Sequence, residues 1–137
     1  MKRRSAIIIA VSVAAIAILA AIYAIAADNL NVLWPNGGET LYKGYMYKLR
    51  WEDSREDEFK PEYIRISVYD GNTGGPYYFL DPMDTDNDGE YWWQVPAVEE
   101  WSNNCYFRVE DTPTYPYAPQ EDESDDGFTI RYLGPYP

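Results

Sequence analysis

The stretch whose residue types and spacing could do chemistry is "DTDNDG", residues 84–89, in which Asp84, Asp86 and Asp88 alternate ahead of Gly89. A calcium loop of the EF-hand type begins this way. It places oxygen ligands at positions 1, 3 and 5, glycine at 6, and a bidentate carboxylate at 12 that closes the site. Counted from Asp84, position 12 is Val95, and Trp92 and Trp93 stand where the loop should close. The EF-hand reading therefore fails at its most important ligand. Two readings remain. "NDG" is a turn signal that launches a β-strand, or Asp84, Asp86 and Asp88 form a weaker calcium site completed by a distant partner. The runs "EDE" (56–58) and "EDESDD" (121–126) pose the same choice between solvated loops and cation sites.

Composition excludes most other chemistries. The chain has no histidine, which removes Ser-His-Asp and Cys-His catalysis and the usual zinc sites. Its one cysteine, Cys105, allows no internal disulfide. Acid pairs suited to a glycoside hydrolase are abundant, but nothing selects any pair, and a small all-β domain is a poor frame for a deep cleft. The reading is therefore non-enzymatic, with calcium the one cofactor considered. All 23 acidic residues follow Ala27, against eight of the 11 basic ones. Such a charge opposes binding to a nucleic-acid backbone or to anionic head groups. It favours solubility, cationic partners or metal ions.

The remaining basic residues, Lys2, Arg3 and Arg4, precede a stretch with no charge from Ser5 to Ala27. About 20 apolar residues suffice to cross a hydrocarbon core, and the basic triplet would stay cytoplasmic and place the rest outside. "AIA" (24–26) fits a signal-peptidase site, whereas the length of the apolar run favours an uncleaved anchor. Both readings export the remainder of the chain. The expected organisation is a signal peptide or N-terminal anchor helix at 1–27, a β-domain at 28–133 and a tail at 134–137.

From Leu30 onward, short runs of β-type residues alternate with turn residues. They are "LNVLW" (30–34), "YMYKLRW" (45–51), "YIRISVY" (63–69), "PYYFL" (76–80), "EYWWQV" (90–95), "CYFRVE" (105–110) and "GFTIRY" (127–132). A period of two puts Ile64, Ile66 and Val68 on one face, and likewise Tyr91, Trp93 and Val95, then Cys105, Phe107 and Val109. Cys105 is thus expected as an inert buried thiol. Seven half-buried strands in about 105 residues predict an all-β, immunoglobulin- or fibronectin-III-like antiparallel β-sandwich. The aromatic residues, 17% of the chain, are needed mainly as core in a domain without a disulfide.

Three ordered motifs resemble a known family. "WPNGGETLYKGYMYKLRW" resembles the opening of the immunoglobulin-like domain at the N-terminus of yeast cell-wall Kre/Knh proteins, with Pro35, Asn36, Gly37, Gly38 and Glu39 as the turn and Trp51 ending the strand. The same domain type occurs in Ser/Thr-rich GPI-anchored surface proteins and in prokaryotic exported proteins. "NDGEYWWQVP" is similar to its turn-strand element ending in Val95 and Pro96, and "YFRVED" with "SDDGFTI" to its closing strands. The resemblance spans residues 30–131. It implies an extracellular module, linked in fungal members to β-1,6-glucan assembly, and it carries no catalytic residues.

If the first, second and fifth strands are neighbours in one sheet, Leu33, Met46 and Trp92 point outward together as an apolar stripe. Exposed apolar patches often mark partner sites, so the expected partner is a protein or polysaccharide of the cell envelope. Alternatively a loop or the C-terminal tail covers the stripe. Tyr77, Tyr78, Tyr115 and Tyr117 lie near turns and could stack on sugars. A structural subunit of a surface filament or layer is the alternative function.

Overall fold

The structure is a computed structural model that describes residues 29–72, 77–97, 102–112 and 119–134. The expected N-terminal hydrophobic helix, Tyr115, Tyr117 and the last three residues lie outside these ranges. Among the described residues no helix is long and apolar enough to cross a membrane.

The described residues form nine strands: β1 (Leu30–Trp34), β2 (Thr40–Tyr42), β3 (Met46–Asp53), β4 (Tyr63–Asp70), β5 (Tyr77–Asp86), β6 (Glu90–Gln94), β7 (Ser102–Asp111), β8 (Glu121–Glu123) and β9 (Phe128–Arg131). A short 3-10 turn, Asp57–Phe59, is the one helical element among them. The protein is mostly β, in two sheets. One has the order β1-β3-β6, the other β2-β9-β7-β4-β5 with β8 attached to β7. Every pairing is antiparallel except β2 with β9, which is parallel. This corrects the expectation of a purely antiparallel fold.

The two sheets bury one shared apolar cluster. Leu30, Val32, Leu49, Trp51 and Trp93 from the smaller sheet meet Ile64, Ile66, Val68, Phe107, Val109, Phe128 and Ile130 from the larger. Trp51 and Phe107 link the layers, with ring centroids 6.4 Å apart. The expected alternation holds in these strands, and Cys105 is fully buried. Burial pushes its thiol pKa up to about 11, so it stays a thiol at neutral pH.

Two acidic stretches expected as turns or loops lie largely in strands instead. β5 runs ten residues, through Asp84 and Asp86, so only "NDG" remains as the turn before β6. Gly89 there adopts φ 91°, a conformation glycine takes without steric cost. The acidic run at 121–123 is a strand because each carboxylate has its own donor. Glu121 pairs with Arg108, Asp122 accepts from the Val32 amide (2.6 Å), and Glu123 accepts from the Tyr69 hydroxyl (2.7 Å). In the loop after β3, Arg55 is buried rather than solvated. It donates to Asp53 Oδ1 and Oδ2 (2.8 and 2.7 Å) and to both Asp111 oxygens (2.8 Å each). Asn87 Nδ2 donates to Asp53 (2.7 Å), and Asn87 Oδ1 accepts from Trp51 Nε1 (2.9 Å). This clamp ties the end of β3 to β7 and to the β5–β6 turn. Burial alone would raise the Asp53 pKa, but the hydrogen bonds from Arg55 and Asn87 outweigh it and hold the carboxyl below its ordinary value.

Candidate functional site

The outer face of β1-β3-β6 is built by the pleat. With Leu49 and Trp51 inward on β3, the alternate residues Met46, Lys48, Arg50 and Glu52 face out. With Trp93 inward on β6, Glu90, Trp92 and Gln94 face out. On β1 the ladder shifts register between Val32 and Trp34, leaving Leu33 as the extra residue of a bulge. Leu33 faces solvent, as alternation from buried Leu30 and Val32 requires, and Trp34 packs on Tyr47, centroids 5.9 Å apart.

The first, second and fifth expected strands are thus neighbours, and Leu33, Met46 and Trp92 share one face at 43%, 53% and 57% exposure. They do not form the continuous stripe expected. Lys48 lies opposite Trp92, Met46 opposite Gln94 and Arg50 opposite Glu90, so two cations of the central strand separate Leu33 from Trp92. Lys48 Nζ sits 4.9 Å from the centroid of the Trp92 ring and 2.8 Å from Glu90 Oε2. A cation over an aromatic face is attracted by the ring quadrupole. Arg50 is exposed and makes no ion pair among the described residues. Lys48 and Arg50 share the parity of Met46 in "YMYKLRW", which is the signal that could have found them.

This face differs from the rest of the surface. Its outward charges balance, Lys48 and Arg50 against Glu52 and Glu90, on a chain of net charge −12. On the larger sheet Arg65 pairs with Asp84 (2.8 Å) and Arg108 with Glu110 (3.2 Å) and Glu121, while the exposed Arg131 at the end of β9 makes no ion pair among the described residues.

The three aspartates are not brought together. Asp84 is held by Arg65, and Asp88 accepts from the Glu90 amide (3.2 Å) as a turn cap. Among the described residues no group of three or more acidic or cysteine side chains is placed to hold a metal ion. Of the four tyrosines expected near turns, the two described, Tyr77 and Tyr78, lie on opposite faces of β5. Tyr77 packs edge-on against Phe79 at 5.1 Å, on the core side. Tyr78 meets Tyr69 edge-on at 6.5 Å, and Tyr69 stacks on Tyr106 at 5.7 Å, outside the larger sheet. Burial and the Glu123 carboxylate push the Tyr69 pKa up to about 12, keeping it a hydrogen-bond donor.

No protein-family model, curated protein or solved structure matches the chain.

Proposed function

We propose that this chain is an exported, non-enzymatic cell-surface module that binds an envelope protein through the outer face of β1, β3 and β6. The observation that carries the reading is the exposed set of Trp92, Met46 and Leu33 around Lys48 and Arg50 on a charge-balanced face of an otherwise acidic chain. Trp, Met and Arg are the residues enriched at protein interfaces, and Trp and Arg dominate their hot spots. The immunoglobulin-like reading of the fold is supported by the strand order. The first, second and fifth principal strands (β1, β3, β6) form one sheet, and β4, β7 and β9 are neighbours in the other. That is how a sandwich of this class divides its strands. It agrees with the Kre/Knh-type resemblance of the turn at 35–39 and of the Val95-Pro96 element. The charge-free segment at 5–27 supports export and attachment at the outer face of the membrane.

The test is capture of envelope components by the chain and by Trp92→Ser, with thermal unfolding in parallel. Trp92 is mostly exposed, so the variant should fold as before and lose the partner. Capture that survives protease but not glycan digestion would replace the protein partner with a polysaccharide. Unchanged capture by Trp92→Ser would reject this face.

A further inference from the structure

We infer that a second copy of the chain docks edge to edge along β6. The inference goes beyond the proposed binding face, since it uses the backbone edge of β6 and not the outer face of β1 and β3.

Strand edges offer unpaired backbone groups to other chains, and proteins protect them. Among the described residues every other edge is protected. The Val32 amide on the free side of β1 is taken by Asp122 at 2.6 Å. β2 and β8 are three residues each, and β8 is wholly acidic. β5 carries Pro82, the acidic Asp81, Asp84 and Asp86, and two register shifts against β4. On β6 only the Glu90 amide is capped, by Asp88 at 3.2 Å. The strand is five residues, EYWWQ, paired to β3 without a shift.

The direction of its backbone groups follows from its ladder. Gly89 O accepts from the Trp51 amide and the Val95 amide donates to Tyr45 O, both at 3.0 Å. Alternation in an antiparallel pair then turns Tyr91 and Trp93 toward β3, and Trp92 and Gln94 toward the open side. No described residue bonds the backbone N–H or C=O of Trp92 or Gln94 on that side.

The β6 sequence EYWWQ is compatible with antiparallel pairing to itself, and charge selects the register. Two copies of a chain of net charge −12 repel across most of their surfaces. An antiparallel β6–β6 pair with its two-fold axis at Trp92 places no like charges opposite each other at the contact itself. Trp92 faces Trp92 of the second copy, and Glu90 faces Gln94 of the second copy rather than another carboxylate. Each Glu90 is already compensated by its own Lys48 at 2.8 Å. The pair would make four backbone hydrogen bonds, two between the Trp92 residues and two from Gln94 amides to Glu90 carbonyls. The three-stranded sheets would then join into one of six strands. Such a two-fold contact is isologous and closes at a dimer, so it does not propagate as a filament. Two five-residue strands, each about 17 Å long, bury less than the roughly 1,200 Å² of a stable interface. The dimer is therefore concentration-dependent.

The test uses the full chain with Glu90→Cys and Gln94→Cys made separately, then oxidised alone and as a mixture. In the proposed register residue 90 of one copy lies about 5.5 Å from residue 94 of the other, within disulfide reach. Residues 90 and 90 of the two copies stand about 13 Å apart. Cys105 is buried and does not compete. The expected result is a covalent dimer in the mixture and none from either variant alone. In parallel, sedimentation of the unmodified chain should show a concentration-dependent dimer that Gln94→Pro abolishes, since proline removes an outward amide but no β3–β6 bond. No cross-link in the mixture, or equal cross-linking by the single variants, overturns the pairing. A monomeric chain whose envelope capture still depends on Trp92 overturns the pairing but leaves the binding face standing. A cross-linked dimer with capture unaffected by Trp92→Ser supports the pairing and overturns the proposed function.

Discussion

Replacing Arg55 with methionine should be among the most destabilising single changes in the domain. Its guanidinium makes four side-chain hydrogen bonds to Asp53 and Asp111, whose side chains are 2% and 0% exposed. Methionine keeps much of the volume and removes the charge, leaving two buried carboxylates without their cation. Breaking a buried pair in this way costs about 3–5 kcal/mol. For a domain of this size that corresponds to a loss of roughly 12 °C or more in melting temperature. Arg65→Met is the internal control. It breaks a single contact to Asp84 between side chains 30% and 46% exposed, and such surface pairs contribute about 0–1 kcal/mol. The assay is urea unfolding followed by tryptophan fluorescence at pH 7, repeated at lower pH. Because Asp53 has a lowered folded pKa, its contribution is present above the unfolded value of 3.8 and is lost as pH falls through the folded value. The gap between the native chain and Arg55→Met should accordingly narrow below about pH 4. A loss under about 1 kcal/mol at pH 7, equal to that of Arg65→Met, would refute the clamp as a stabilising element.

Three further outcomes are expected. Lys43 is 6% exposed and its ammonium finds no hydrogen-bond partner among the described residues. Lys43→Met should therefore leave stability unchanged or raise it by about 1–3 kcal/mol, and a large loss in denaturant unfolding would show a hidden partner. Gly37 has φ 130°, and a Cβ there would lie 2.7 Å from Asp126 Cβ. Gly37→Ala should thus cost more than about 1 kcal/mol, whereas unchanged thermal stability would show that the 35–39 turn yields freely. Calorimetric titration of calcium should be flat, since Asp84 is held by Arg65 and Asp88 caps the following turn. A saturable signal with a raised melting temperature would restore the cation reading of "DTDNDG".

How much of the fold was legible depends on whether an interaction is local. The inward residues of β3, β4, β6, β7 and β9 follow from a period of two, which needs only neighbours in sequence to be read. The same parity put Leu33, Met46 and Trp92 outward. The illegible features depend on distant partners. β8 reads as a solvated acidic run, and only Arg108, Tyr69 and the Val32 amide make its carboxylates fit a strand. Three-residue β2 exists through its parallel pairing with β9, nearly 90 residues away in sequence. β5 continues past Pro82 because it is an edge strand, where a missing amide is tolerated. The role of Arg55 cannot be read locally either, because its partner Asp111 is 56 residues distant.

The central claim concerns which face binds, and one paired affinity measurement tests it most directly. Trp92→Ser alters the outer face of β1-β3-β6, and Tyr78→Ser alters the tyrosine group outside the larger sheet. Binding of each to the captured envelope partner is compared with that of the unaltered chain. Loss of an exposed tryptophan anchor should cost about 2 kcal/mol or more, roughly a thirtyfold weaker Kd, while Tyr78→Ser stays within about twofold. The reverse pattern, weak binding by Tyr78→Ser and intact binding by Trp92→Ser, would contradict the claim and move the site to the opposite sheet.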